Sequence, residues 1–260
     1  IPGFKVHAKL ILIKRLENRK IKFYANIGTG NFNEFTSSTF SDISLFTSNP
    51  SITSEVELMF NLFESYYKPT KFKTLKVAPF SMRRFVVKML DREIDNADNG
   101  MEAWAIIKLN NLVDSTVIAK LYEASNHGVK LKLIVRGICV LIPGIEGMSE
   151  NIEACSIVDR YLEHSRVYCF ANGGKKDIYI SSSDWMIRNF DNRFEVACPI
   201  YDPQIKEDIF KILLLNLKDN QKSRIFSDRY VNIYKSADNE EPVYAQKAIY
   251  EYFKSKTLNL

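Results

Sequence analysis

One short signature occurs twice in this chain, and that duplication restricts the fold more than any other feature. In the first copy, residues 6–13 alternate as a strand does. Val6, Ala8, Leu10 and Leu12 share one face, and His7 and Lys9 stand side by side on the other. An imidazole and an ammonium on one face are costly to bury unless something anionic sits between them. A second predicted strand, 23–27, feeds the turn Gly28-Thr29-Gly30-Asn31-Phe32-Asn33, and a third apolar run, 42–46, begins with Asp42. Glycines in such a turn let backbone N–H groups approach a ligand, and phosphate oxygens suit them.

The order returns within residues 158–201. His164-Ser165-Arg166 opens a predicted strand, 166–170; a loop at 171–176 leads to a strand at 178–180; Ser181-Ser182-Ser183-Asp184-Trp185 follow, and Glu195 lies in the run 194–197. Aligning the turns sets Thr29 against Ser182, Asn31 against Asp184, Phe32 against Trp185 and Asp42 against Glu195, with the same spacing from turn to acid in both copies. A lone strand histidine is most often structural. Two copies of histidine, cation, hydroxyl, amide or acid, then carboxylate point to a phosphate-handling site.

The rest of the chain alternates helices with strands. Helices are expected at 55–66, stopped by Lys68-Pro69, and from Ser81 towards Gly100. Others are expected from the cap Asp114 to Ser125, from Asp202-Pro203 to Leu217, and at 243–256. Short buried strands fit 103–109 and 130–135, and the basic stretch 68–76 reads as a linker. This pattern predicts an α/β sandwich, with mixed sheets flanked by helices. Residues 77–163 precede the second histidine, but six residues precede the first. A sheet lacking half its strands leaves open edges. The expectation is therefore two related domains, 1–75 and 76–260, the first truncated, in the C-terminal portion of a longer protein.

Composition excludes little. A net charge of +5 suits a polyanionic partner without requiring one. Cys139, Cys155, Cys169 and Cys198 show no metal-binding spacing, so buried free thiols in a reducing cytoplasm are expected. No apolar run reaches the ~18 residues of a membrane span. His127, in Asn126-His127-Gly128, reads as a helix-end residue.

A strand-borne histidine attacks phosphorus through a ring nitrogen when it is neutral and its other nitrogen is held. Asp42 and Glu195 are the candidate holders. Lys9 and Arg166 would neutralise the transferring phosphoryl group, and Arg136, delivered at the end of the 130–135 strand, is a candidate anion clamp. Asp184 is expected to favour a protonated neighbouring imidazole, whereas Asn31 would leave His7 neutral. No Walker A loop is present.

These residues carry a family resemblance. The paired units resemble the phospholipase D superfamily, and more closely the C-terminal part of the long, histidine-phosphorylating bacterial polyphosphate kinases. The matching segments are Val6-His7-Ala8-Lys9-Leu10, Ile27 to Glu34, Lys108 to Asp114, Val135 to Cys139, Ser156 to His164 and Asp184 to Asn189. The resemblance implies reversible transfer of the ATP γ-phosphate to inorganic polyphosphate, with Mg²⁺, through a phosphohistidine at His7. Neither a metal ligand in this chain nor a specific nucleic acid is implied. His164 and Arg136 match positions that contact the nucleotide or its phosphates, and Asn31 falls with the same phosphate-binding group. Phe40 stands where the family has a nucleotide-contacting tyrosine, so stacking survives and a phenolic hydrogen bond does not. A cytoplasmic homo-oligomer as the full-length protein is implied, with room for peripheral association at the inner membrane. Two other readings stay open: a phospholipase D-like phosphodiesterase or nuclease with water as acceptor, and a non-catalytic polyanion-binding module. Arg166 and Asp184, where the phosphodiesterase motif has Lys and Asn, weigh against the former.

Overall fold

Strand period and helix period divide the chain into layers that meet at the duplicated signature. The computed structural model describes residues 3–65, 70–226, 233–235 and 241–257. In chain order its first half contains β1 (Lys5–Val6), β2 (Lys9–Glu17), β3 (Lys20–Gly28), α1 (Glu34–Thr39), β4 (Phe40–Ser41), β5 (Ser44–Thr47), α2 (Pro50–Glu64), β6 (Lys76–Ala78), α3 (Met82–Asp98), β7 (Trp104–Leu109) and α4 (Ser115–Asn126). There follow β8 (Lys130–Val135), β9 (Ile152–Ile157), β10 (Leu162–Glu163), β11 (Arg166–Phe170), β12 (Asp177–Ser181), α5 (Ile187–Asp191), β13 (Arg193–Pro199), α6 (Pro203–Lys218), β14 (Ser223–Ile225), β15 (Ile233–Tyr234) and α7 (Ala245–Thr257).

The large sheet runs β1-β13-β12-β11-β7-β8-β9-β14-β15, with β6 also on β13, and β2-β3-β5 form a smaller antiparallel sheet. Alternation along the central strands separates two cores. Ala105 and Ile107 of β7 pack with Val86 and Leu90 of α3 and Leu121 of α4. Ile106, between them, joins Val56 and Met59 of α2, Ile209 and Leu213 of α6, and Ala25 and Ile27 of β3. A sheet covered on both faces is the mixed α/β arrangement that the alternation of elements predicts.

Capping works largely as expected. Asp114 accepts from the Val117 N–H at 3.1 Å and Asp202 from the Ile205 N–H at 2.9 Å, each worth about 1 kcal/mol. Ser81 stands at the start of α3 but makes no capping bond; its hydroxyl accepts instead from the Val77 N–H. α2 begins five residues earlier than periodicity suggests, because Asn49 caps it and Pro50 is preorganised at its first position. The Lys68-Pro69 stop and the start of the expected linker lie outside the described residues. The short helices α1 and α5 and the strand β9 escaped the sequence reading. His127 caps α4, and its ring meets Asp98 at 2.8 Å. All four cysteines are free, and burial pushes the Cys169 and Cys198 thiols up to about 12. Among the described residues no helix is long and apolar enough to cross a membrane.

The expected strand at 6–13 is broken. It divides into β1 and β2 at His7-Ala8, where both N–H groups turn onto the Phe194 carbonyl at 3.0 and 2.9 Å. β1 thereby runs parallel to β13, with Val6 opposite Phe194. The second copy repeats the device: β10 runs parallel to β4, Glu163 lies opposite Ser41, and the Ser41 carbonyl accepts from His164 and Ser165. Each histidine is thus delivered beside the acid-bearing segment of the other copy.

Candidate active site

Two histidine–carboxylate pairs result, and both are crossed. His7 Nδ1 meets Glu195 Oε2 at 2.9 Å, and His164 Nδ1 meets Asp42 Oδ1 and Oδ2 at 2.9 Å. Each acid is braced by its own turn. Thr29 donates to Asp42 Oδ1 at 2.6 Å and Ser182 to Glu195 Oε2 at 2.5 Å, so the aligned hydroxyls occupy equivalent places. Each hydroxyl also accepts one backbone N–H, from Ile43 and Val196 respectively. Asn189, in α5, holds the other Glu195 oxygen at 2.7 Å. With both its oxygens bound and no exposure, Glu195 is a fixed anchor for the His7 ring.

The two histidines differ in their second nitrogen. Arg166 Nη1 lies against the His164 ring, 2.9 Å from Nε2 and 3.3 Å from Nδ1, whereas only Nδ1 of His7 makes a side-chain hydrogen bond among the described residues. Burial lowers the His164 pKa; the Asp42 hydrogen bond opposes it, and the charges of Arg166 and Arg136 add to the lowering. His164 is therefore held neutral in the ligand-free protein.

This corrects the expected role of Asp184, which faces Arg166 and not an imidazole. Asp184 Oδ1 and Oδ2 pair with Arg166 at 3.3 and 3.2 Å, and Oδ1 accepts the Asn110 N–H at 2.8 Å. Burial alone would raise the Asp184 carboxyl; Arg166 and the backbone donors outweigh it and hold it below the usual range. A guanidinium nearer than the ring captures the acid. Asn31 is exposed on the turn. Phe40 packs its ring against His164, with centroids 5.0 Å apart. Arg136 emerges half-buried from the end of β8, donates to Asn110 Oδ1, and has its pKa lowered by burial and by Arg166.

Lys9 is the orphan of the site. It is 6% exposed, its Nζ has no hydrogen-bond partner, and burial lowers its pKa to about 8 against the pull of Glu195. A buried ammonium facing two carboxylates and Arg166 without touching any of them carries an uncompensated desolvation cost. The turn glycine Gly30 serves a different end from the expected close approach to a ligand: a Cβ there would lie 2.0 Å from Asp42 Oδ2. Its bareness makes room for the Asp42 carboxylate.

Lys108, Glu163 and Asn189 lie in the segments that carry the family resemblance, but the sequence assigned none of them a role. A lysine inside the apolar strand β7 was the available signal, since such a charge demands a partner. No group of three His, Cys, Asp or Glu side chains able to hold a metal occurs among the described residues. Asp42 and Glu195 are already engaged, so this donor set does not fit a side-chain-bound Mg²⁺.

Fold and site together define a duplicated α/β protein whose two halves exchange acids to orient two histidines. The chain belongs to the polyphosphate kinase family. The family models "Polyphosphate kinase C-terminal domain 1" and "Polyphosphate kinase C-terminal domain 2" match residues 1–69 and 75–246. Polyphosphate kinase of Escherichia coli K12 is 50% identical over 98% of this chain, and that of Vibrio parahaemolyticus 47% identical over 98%. The chain spans 37% and 36% of those relatives' lengths. The crystal structure of polyphosphate kinase from Porphyromonas gingivalis superposes on the whole chain with a TM-score of 0.94 at 43% identity, using 40% of that protein.

Proposed function

We propose that this chain carries the site of reversible phosphoryl transfer between ATP and inorganic polyphosphate, through a phosphohistidine at His7. The observation that carries the reading is the unequal state of the two rings. Glu195 accepts the Nδ1–H of His7 and leaves its Nε2 lone pair free, while the Arg166 guanidinium lies against the His164 ring, 2.9 Å from Nε2 and 3.3 Å from Nδ1.

In the first step Nε2 of His7 attacks the γ-phosphorus, the bond from phosphorus to the β–γ bridging oxygen breaks, and ADP departs with that electron pair. Glu195 stabilises the positive charge that develops on the ring. In the second step a terminal phosphate oxygen of the polymer attacks phosphorus and the P–N bond breaks, which restores His7. The ammonium of Lys9 and the guanidinium of Arg136 offset charge on the phosphate oxygens. The phosphates of bound ATP counter the repulsion of Arg166 and Arg136 at His164, so that ring gains a proton to hand to the departing ADP oxygen. Mg²⁺ is proposed to enter as the counter-ion of ATP.

The test is to incubate the intact protein with γ-labelled ATP and map acid-labile, base-stable label. Label on His7 that returns to ATP when ADP is added is the expected result, and His164→Ala should keep label on His7 while losing about 10²–10⁴-fold in polymer synthesis. Label on His164 with His7 unmodified reverses the roles. Release of inorganic phosphate without polymer would favour a hydrolase.

A further inference from the structure

The phosphoryl chemistry proposed above makes no use of Lys108, although it is 2% exposed near the C-terminal end of β7. Its Nζ donates to Glu163 Oε2 at 2.6 Å and to Ser165 Oγ at 2.7 Å. Those two residues flank His164. The hydroxyl of Ser41, the residue before Asp42, donates to the same Glu163 oxygen at 3.2 Å. Gln246, in the first turn of α7, donates to Glu163 Oε1 at 2.8 Å and to the Tyr161 carbonyl at 2.8 Å, and accepts from the Tyr161 N–H at 3.1 Å. A cavity of about 260 Å³ lies behind the pair, with Asp42, Lys108, Glu163, Gln246 and Tyr250 in its wall.

Among the described residues nothing like this surrounds His7. Where His164 has Glu163, Ser165 and Ser41, His7 has Val6, Ala8 and Phe194. A buried ion pair is on average no more stabilising than an apolar pair of the same volume, so stability alone does not account for the difference. What the polar set does achieve is geometric: it ties together the side chains of the residues on both sides of His164 and of the residue just before Asp42. Catalytic rings need placement within about 0.5 Å, and bonds to their neighbours supply it.

We propose that Lys108, Glu163 and Gln246 are a positioning network that sets His164 against Asp42 from behind and ties that geometry to the docking of α7. The inference rests on the functional reading only where turnover is measured.

The test compares Gln246→Ala and the equally long Gln246→Met, both at a half-buried helix position. A Lys108→Met/Glu163→Gln double variant also removes the interior charges without leaving one unpaired. Titration of the His164 imidazole is followed by NMR with ¹³C-labelled histidine, beside kcat and KM for polymer formation. Asp42, Arg166 and Arg136 face the ring, together with the Lys108–Glu163 pair behind it, and the Gln246 variants alter none of these groups. Both Gln246 variants should keep the wild-type circular dichroism and shift the His164 titration to lower pH, since the Asp42 contact that raises it loosens. They should lower kcat about 10-fold or more at unchanged KM. An unmoved His164 titration beside a lowered melting temperature would make the network purely structural and overturn the proposal. The NMR arm reads the network even if no polymer is made, which separates this failure from failure of the functional reading.

Discussion

His7 and Glu195, 188 positions apart in the chain, form a 2.9 Å contact in which the acid is wholly buried and the ring keeps 20% of its side chain exposed. An anchored inner face and an open outer face are what a nucleophilic imidazole requires. Glu195→Gln keeps the shape but removes the charge that supports the imidazolium and fixes the tautomer. Phosphoenzyme formation should fall about 10²–10⁴-fold, and His7→Ala should abolish it. Rapid-quench labelling measures both. Near wild-type labelling in either variant would remove this pair from the mechanism.

Lys9 links the site to pH. Its folded pKa, about 8, lies below the ordinary lysine value of 10.5, so between these values the unfolded chain binds more protons than the folded one. Ligand-free stability should therefore rise as pH climbs from about 8 towards 10.5, the cost of burying the ammonium being full below that window. Polyphosphate binding should weaken over the same range, because the neutral amine no longer attracts it. Lys9→Met should flatten both dependences and stabilise the empty protein by roughly 1–3 kcal/mol while weakening the polyanion. Thermal melts and binding isotherms across pH decide it; a melt unchanged from pH 7 to 10.5 would contradict the assignment.

Gly30→Ala tests the space that Asp42 occupies. The new Cβ would stand 2.2 Å from Asp42 Cγ, so the carboxylate must rotate away from both Thr29 and His164. Turnover should drop about as far as in Asp42→Asn, by roughly 10²-fold or more, for loss of an oriented acid–base group. The crystal structure of the variant with Asp42 still on His164 would sink this account.

Arg136→Ala should weaken nucleotide or polyphosphate binding by about 1.5–3 kcal/mol, the worth of a charge-assisted hydrogen bond. The side chain is half-buried and, among the described residues, hydrogen-bonds only to Asn110, so the fold should hold. Calorimetric titration beside a thermal melt separates the cases. A large loss of melting temperature with unchanged affinity would make Arg136 structural.

Much of this molecule was legible in local pattern. The strand Arg166–Phe170 and the strand Lys130–Val135 stand where alternation and apolar runs put them, because burial on a sheet face selects residues one by one. The caps Asp114 and Asp202 were readable because each bonds an N–H three residues away. The duplication itself needed no structure, and it paired Thr29 with Ser182 and Asp42 with Glu195 before any contact was known. Tertiary structure alone decided who meets whom. Glu195 orients His7, Asp42 orients His164, Asp184 turns to Arg166, and Lys108 finds Glu163. These contacts join residues 188, 122, 18 and 55 positions apart. No sequence period reaches that far, and among several acids near one ring only the packed sheets determine which carboxylate arrives within hydrogen-bond distance.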